Sequence, residues 1–162
     1  MAFSLDEIDV QLLHELERDA SRSNVELARL VNLSPAATLN RVRRLKDSGV
    51  IRGIAARLDS AAAGFTLQVY VTITLARQDE AAHRRFQQVV EETGQVISAD
   101  WVTGETDALL MIVARDVAEL QLVLSRLTTR GGAQRMITLL RLEELKPSSP
   151  LPLRATSGQR SR

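Results

Sequence analysis

Near Gly53 the spacing of apolar residues changes period, and this constrains the fold more than any single motif. Before it, Ile8, Leu12, Leu13 and Leu16 recur at helical spacing, as do Leu27, Leu30 and Val31. After it, Leu67, Val69, Val71, Ile73 and Leu75 alternate with Gln68, Tyr70, Thr72 and Thr74, the period of a half-buried strand. A helix-period segment does not sit still as a strand, so the chain is expected to form two differently built parts. Its 162 residues, 44% of them hydrophobic, suffice for two small cores.

The first part reads as three short helices. Ser4-x-x-Glu7 has the form of a capping box, with Phe3 and Ile8 spaced for a hydrophobic staple. Ser23-x-x-Glu26 opens a second helix, and Asn32 follows it as a residue that tolerates left-handed backbone. Ser34-Pro35 supplies an N-cap and a first-turn proline for a third helix that runs to about Ser48, with Gly49 as its stop. Three helices with a tight turn before the last is the helix-turn-helix plan.

The second part reads as strand, helix (79–93), strand (95–103), turn at Gly104-Glu105, strand (106–114), helix opened by Asp116-x-x-Glu119, and strand (133–145). That order is the βαββαβ, ferredoxin-like plan. The expected class is therefore α+β. Residues 1–53 form a helix-turn-helix (winged-helix-like) domain, 54–65 a linker, 66–146 a ferredoxin-like domain and 147–162 a disordered tail rich in Pro, Ser and Arg. The run Ala108-Leu109-Leu110-Met111-Ile112-Val113-Ala114 does not alternate, and a strand apolar on both sides is covered on both sides. Helices cover one face of a two-layer fold, so the other face is expected to meet a second copy of the chain. Cover from the linker or the first domain is the alternative.

Composition narrows the chemistry. The chain has no Cys, which excludes disulfides, thiolate metal sites and Cys nucleophiles, and its two His residues cannot build a multi-His metal site. No catalytic constellation, P-loop or dinucleotide-binding glycine pattern stands out. No apolar run is long enough to span a bilayer and the first ten residues lack a basic leader, so a cytoplasmic protein with no membrane partner is expected.

The formal net charge is only +1, from 21 Lys and Arg against 20 Asp and Glu. The charge is partitioned, however. Asp6, Glu7, Asp9, Glu15, Glu17 and Asp19 crowd the first helix, while Arg41, Arg43, Arg44 and Lys46 crowd the third. On a helical wheel Thr38, Leu39, Val42 and Leu45 face the bundle, and Ala36, Ala37, Asn40 and Arg44 face away. Asn suits a bidentate contact with adenine and Arg suits guanine or phosphate. Small residues at the start of the helix let it enter the major groove. An ordinary solvated helix face has the same composition. The tight turn before the helix and the basic Arg52 and Arg57 after it favour double-stranded DNA, and two copies would present two-fold-related reading helices.

The motifs Leu5-Asp6-Glu7-Ile8-Asp9, Leu16-Glu17-Arg18-Asp19 through Ala28, Leu33-Ser34-Pro35, Arg41-Val42-Arg43-Arg44-Leu45 and Gly49-Val50-Ile51 closely resemble the Lrp/AsnC (leucine-responsive, feast/famine) family of transcriptional regulators. Val102-Thr103-Gly104-Glu105-Thr106-Asp107 resembles that family's Gly-Asp-x-Asp-Tyr turn, and 142–146 its closing strand. The resemblance covers roughly Leu5 to Lys146. It implies a regulator whose DNA binding or assembly responds to a small effector, usually an amino acid, with no further cofactor. It also implies a dimer joined through the sheet and higher assembly, often an octamer. Ser34, Pro35, Ala37, Thr38, Asn40, Arg41 and Arg44 fall on its recognition-helix positions, and Arg43, Lys46 and Arg52 extend the basic surface.

Effector binding is implied near the turn. Asp107 would pair an ammonium and backbone N–H groups around Gly104 a carboxylate, flanked by Thr103 and Glu105. Thr128 and Thr129 would add hydroxyl contacts, and Leu139 and Leu140 match positions tied to effector response. A plain hairpin turn would use Gly104 and Asp107 equally well. Two departures bear on the pocket: Glu105 stands where the family commonly has Asp, and Ala108 where it commonly has an aromatic.

Two rival readings share the plan. Siroheme decarboxylases resemble both halves and would use His and Arg side chains, for which the chain offers His14 and His83. An effector-binding assembly module without specific DNA recognition is the other.

Overall fold

Helices begin where a short polar side chain can hold backbone N–H groups that have no intrahelical partner. The computed structural model, which describes residues 4–156, shows five such starts. Helix α1 (Glu7–Arg18) is capped by Asp6, whose carboxylate accepts the Asp9 N–H at 2.8 Å while the Asp9 carboxylate accepts the Asp6 N–H at 3.2 Å. The box is thus Asp6/Asp9 and not Ser4/Glu7: an ionised carboxylate at the cap accepts more strongly than a hydroxyl. Phe3 lies outside the described residues. Ser23 and Glu26 form the expected box on α2 (Asn24–Leu30), and Ser34 caps α3 (Pro35–Asp47). Asn32 between them has φ 53°, the left-handed residue the tight turn requires. Leu12, Leu27 and Val31 form the small core, with Ile8, Leu16, Leu33 and Val42 packed against it.

Among the described residues no strand precedes Leu67, so this unit is three helices without a β-wing. It also includes residues 146–156. Residues 147–156, expected to be disordered, instead lie along it. Thr156 donates its N–H to the Leu5 carbonyl at 2.8 Å, and the Leu151 N–H donates to the Glu17 carboxylate at 3.1 Å. Leu151 and Leu153 line a groove shared with Leu13, Leu16, Ile51 and Ile54. Overall composition hid these two leucines among prolines and serines. Arg160 and Arg162 lie outside the described residues.

The second unit carries β1 (Leu67–Leu75), α4 (Glu80–Glu91), β2 (Val96–Trp101), β3 (Ala108–Ala114), α5 (Val117–Thr129) and β4 (Ala133–Leu140). The four strands form one antiparallel sheet in the order β2-β3-β1-β4. Val69, Val71 and Ile73 of β1 join Ala108, Leu110 and Ile112 of β3, and Phe86, Val89, Val123 and Leu127 of the two helices close over them. Among the described residues of this unit, no helix covers the opposite face. It carries Tyr70, Ile137 and Leu139, all exposed, and the half-buried Leu109 and Met111. The final strand is shorter than its apolar pattern suggests. After the Arg141 N–H donates to the Gln68 carbonyl at 2.9 Å, β1 offers no further partner, and 142–146 leave the sheet.

Candidate nucleic-acid interface and ligand cleft

The cap that starts α3 also fixes which of its faces is free. Ser34 Oγ accepts the Ala37 N–H at 3.2 Å, and the Pro35 carbonyl accepts Asn24 Nδ2 at 2.6 Å, joining α2 to α3 across the turn. Thr38 and Leu45 are fully buried, and Arg41 and Val42 are half-buried beside them. Residues 38, 41, 42 and 45 are the inward stripe of a 3.6-residue period. Thr38 therefore serves packing: its hydroxyl donates to the Ser34 carbonyl at 3.1 Å, and it is removed from the set of surface contacts. The outward stripe is Ala36, Leu39, Asn40 and Arg43, all exposed, with Pro35, Lys46 and Arg52 also exposed and Ala37 half-buried. Leu39, assigned to the bundle by its hydropathy, is 47% exposed. Its position one residue after the buried Thr38 was the signal.

The basic face is more tightly held than its composition suggests. Arg41 Nη1 donates to Asp6 at 2.7 Å and to Asp9 at 2.9 Å, and Arg44 donates to the other Asp9 oxygen. Burial pushes the Asp6 carboxyl up, but the Asp9 N–H and the Arg41 guanidinium outweigh it and hold the group below the usual carboxylate range. Among the described residues Arg43 and Lys46 form no ion pair, so they carry the net positive charge of the helix toward solvent.

In the second unit Gly104 has φ 126°, a conformation that a side chain resists, so the β2–β3 turn needs glycine there. Thr103 and Glu105 are exposed around it. Asp107 is half-buried and stitched to β1. Its carboxylate accepts the Leu75 N–H at 2.7 Å and Gln78 Nε2 at 2.9 Å, and its own N–H donates to the Ile73 carbonyl at 2.8 Å. A carboxylate has about four acceptor positions, so two remain beyond these bonds. Thr128 and Thr129 donate their hydroxyls to the carbonyls of Leu124 and Ser125, keeping acceptor capacity only. They lie toward the same end of the sheet as Asp107, since β4 starts beside Leu75. Leu139 and Leu140 pair with Tyr70 and Val69 toward the other end and point to opposite faces. One chain therefore does not gather all the expected effector residues into one site.

A separate cleft of about 350 Å³ lies between α4 and β2, lined by Phe86, Val90, Ala99, Asp100, Trp101 and Ala108. Trp101 packs at a tilt against His83, with ring centroids 4.8 Å apart and planes 37° apart, and against Phe86 at 5.8 Å and 54°. Ala108 opens this cleft where a larger residue would fill it. Among the described residues no group of three His, Cys, Asp or Glu could hold a metal ion, and no helix is long and apolar enough to cross a membrane.

A three-helix unit with an exposed basic third helix, joined to a βαββαβ unit, defines a helix-turn-helix regulator with a separate ligand-binding domain. Residues 5–46 match the AsnC-type helix-turn-helix domain and 68–151 the Lrp/AsnC ligand binding domain. The leucine-responsive regulatory protein of Rhizobium meliloti is 36% identical over 143 residues, 88% of this chain and 92% of that protein. The glutamate uptake regulatory protein of Zymomonas mobilis is 31% identical over 162 residues, 100% and 99% of the two chains. A transcriptional regulator of Neisseria meningitidis, solved as a complex with L-methionine, superposes with a TM-score of 0.84 at 32% identity, over 92% of this chain and 97% of that one. The chain belongs to the Lrp/AsnC family of transcriptional regulators.

Proposed function

We propose that this regulator reads double-stranded DNA with the outward stripe of α3 and that an amino acid, bound by its second unit, modulates that reading. The observation that carries the DNA assignment is the free face of α3, where Asn40, Arg43 and Lys46 stand beside the small Ala36 and Ala37. Asn40 suits adenine, Arg43 suits guanine or phosphate, and Leu39 suits a thymine methyl. Ser34 and Pro35 set the helix at its entry, and Lys46 and Arg52 would meet the phosphates that flank a groove-bound helix. Arg41 and Arg44 stand on the α1 side of the helix, held by Asp6 and Asp9.

Two carboxylate lone-pair positions on Asp107, together with the glycine turn beside it, support amino-acid binding there. Thr103, Glu105, Thr128 and Thr129 surround that end of the sheet. Because Leu139 and Leu140 lie toward the other end, their contribution to a site comes through a second copy. The exposed apolar residues on the helix-free face support a dimer joined through the sheet, with further assembly toward an octamer. Two such subunits present two reading helices to a two-fold-related DNA site.

A regulator is favoured over a decarboxylase because both histidines have other neighbours. His14 lies 3.8 Å from the Glu17 carboxylate and His83 packs at a tilt against Trp101. The protein would work in the cytoplasm, where its DNA lies. A thermal-shift screen of the full chain against the twenty amino acids tests the effector assignment, since a ligand of the native state raises its stability. One or a few amino acids should raise the melting temperature and shift affinity for a duplex selected from a random pool. A flat screen overturns the assignment.

A further inference from the structure

The acids of α1 and the bases of α3 meet in one cluster. Asp9 is 0% exposed, and its carboxylate receives Arg41, Arg44 and the Asp6 N–H. Asp6 receives Arg41 as well and is 51% exposed at its side chain, so the cluster opens to solvent on that side. Two carboxylates and two guanidinium groups sum to zero charge. Half of the four cations on α3 are therefore neutralised within the molecule. Seen from a phosphate farther away than the separation within the pair, an arginine bound to a carboxylate presents little net charge, because the two fields largely cancel. Sequence-independent affinity for DNA depends on how many phosphates a protein neutralises, and so does its salt dependence.

We propose that the Asp6–Asp9–Arg41–Arg44 cluster is a charge lock that sets DNA specificity, withholding two guanidinium groups from sequence-independent phosphate binding while it fixes α3 against α1. The proposal rests on α3 being the DNA-reading helix. Asp6 and Asp9 are positioning residues: they touch the arginines and act on DNA only through them. The lock leaves Asn40 to discriminate between bases without a large indiscriminate background.

Affinity of the full chain for a random-sequence duplex and for a selected site, measured across a salt series, tests the lock. Asp6→Asn keeps a side-chain oxygen that caps α1 and removes the charge. It should tighten random-duplex binding several-fold at low salt and lower the ratio of specific to random affinity. The slope of log affinity against log salt should steepen by about 0.9 for each guanidinium released to a phosphate. The gain should vanish when Arg41→Ala is added, because the two substitutions act through one contact. Simple addition of a positive charge would leave the gain in place. Asp9→Asn should act in the same direction more strongly. If its buried site does not tolerate the change, the Asp6→Asn and Arg41→Ala pair decides alone. Unchanged slopes, or a gain that survives Arg41→Ala, overturn the lock and leave the DNA assignment standing. An unsubstituted chain that binds no duplex at any salt overturns both.

Discussion

The Asp107 carboxylate accepts the backbone N–H of Leu75 at 2.7 Å, fixing the start of β3 to the end of β1. Leu75 is almost wholly buried, so its N–H has no ready substitute in water. Asp107→Ala should therefore cost about 1–3 kcal/mol of stability, the range for leaving a buried donor unsatisfied. Asp107→Asn, which retains an acceptor, should cost less while removing the charge offered to an ammonium group. Urea denaturation of both variants, paired with the amino-acid thermal-shift assay, separates the two roles. Equal stability of the Ala variant and the unsubstituted chain would remove the structural role.

On α3, Asn40 and Arg43 should fail in different ways. Asn40→Ala should relax preference at one position of each half-site, with a discrimination loss of about 1–3 kcal/mol for one bidentate pair. Arg43→Ala, where phosphate contact dominates, should weaken binding to all sequences and flatten the salt slope by about 1. Selection from a random duplex pool followed by salt titration reads both. A uniform loss for Asn40→Ala would move it from base reading to backbone contact.

The C-terminal segment should stabilise the helical unit. Leu153 lines the groove beside Leu13, Leu16 and Ile51 and is half-buried, so Leu153→Ser should cost about 1 kcal/mol, less than the value for full burial of a leucine. A stop after Lys146 should cost more and speed amide exchange in α1, which loses contact with the whole segment. Exchange rates in α1 that match those of the full chain would show the segment to be a passenger.

Stability should fall in acid. Asp6, Glu26, Asp79 and Glu119 are all held below the usual carboxylate range. For Asp6 burial opposes the shift and the Asp9 N–H and Arg41 overcome it, whereas Glu26 is lowered chiefly by the Ser23 hydroxyl, Asp79 by the Ala82 N–H and Glu119 by the Arg115 N–H. A carboxylate whose folded pKa is depressed adds stability above its unfolded pKa and loses it as pH falls through the folded one. The urea midpoint should thus be level above about pH 5 and decline below about pH 4. A midpoint that rises on acidification would reverse the sign.

The elements were legible because their signals are local. Ser23, Ser34 and Asp116 mark helix starts, Asn32 and Gly49 mark turns, and the alternation from Leu67 to Leu75 marks a strand. What escaped depends on partners distant in sequence. Asp9 reads as one more surface acid until α3, more than thirty residues on, supplies Arg41 and Arg44. Leu39 reads as core until packing chooses Thr38 in its place. Leu151 and Leu153 read as part of a loose tail until α1 and the segment after α3 offer a groove. At the turn, Gly104 and Asp107 were visible, but the hydrogen bond to Leu75 was not, because strand register is set by the whole sheet.

The hydrogen bonds between Leu5 and Thr156 bring the two ends of the described chain to one place. The described residues form in effect a closed circuit whose seam lies one residue from the Asp6 cap. A substitution at Thr156 would act beside that cap, so altered DNA affinity in such a variant should be checked against the seam before it is credited to the charge cluster. Joining Leu5 to Thr156 with a short linker and reopening the ring at an exposed loop of the sheet unit should give a permuted chain that keeps its three-helix unit.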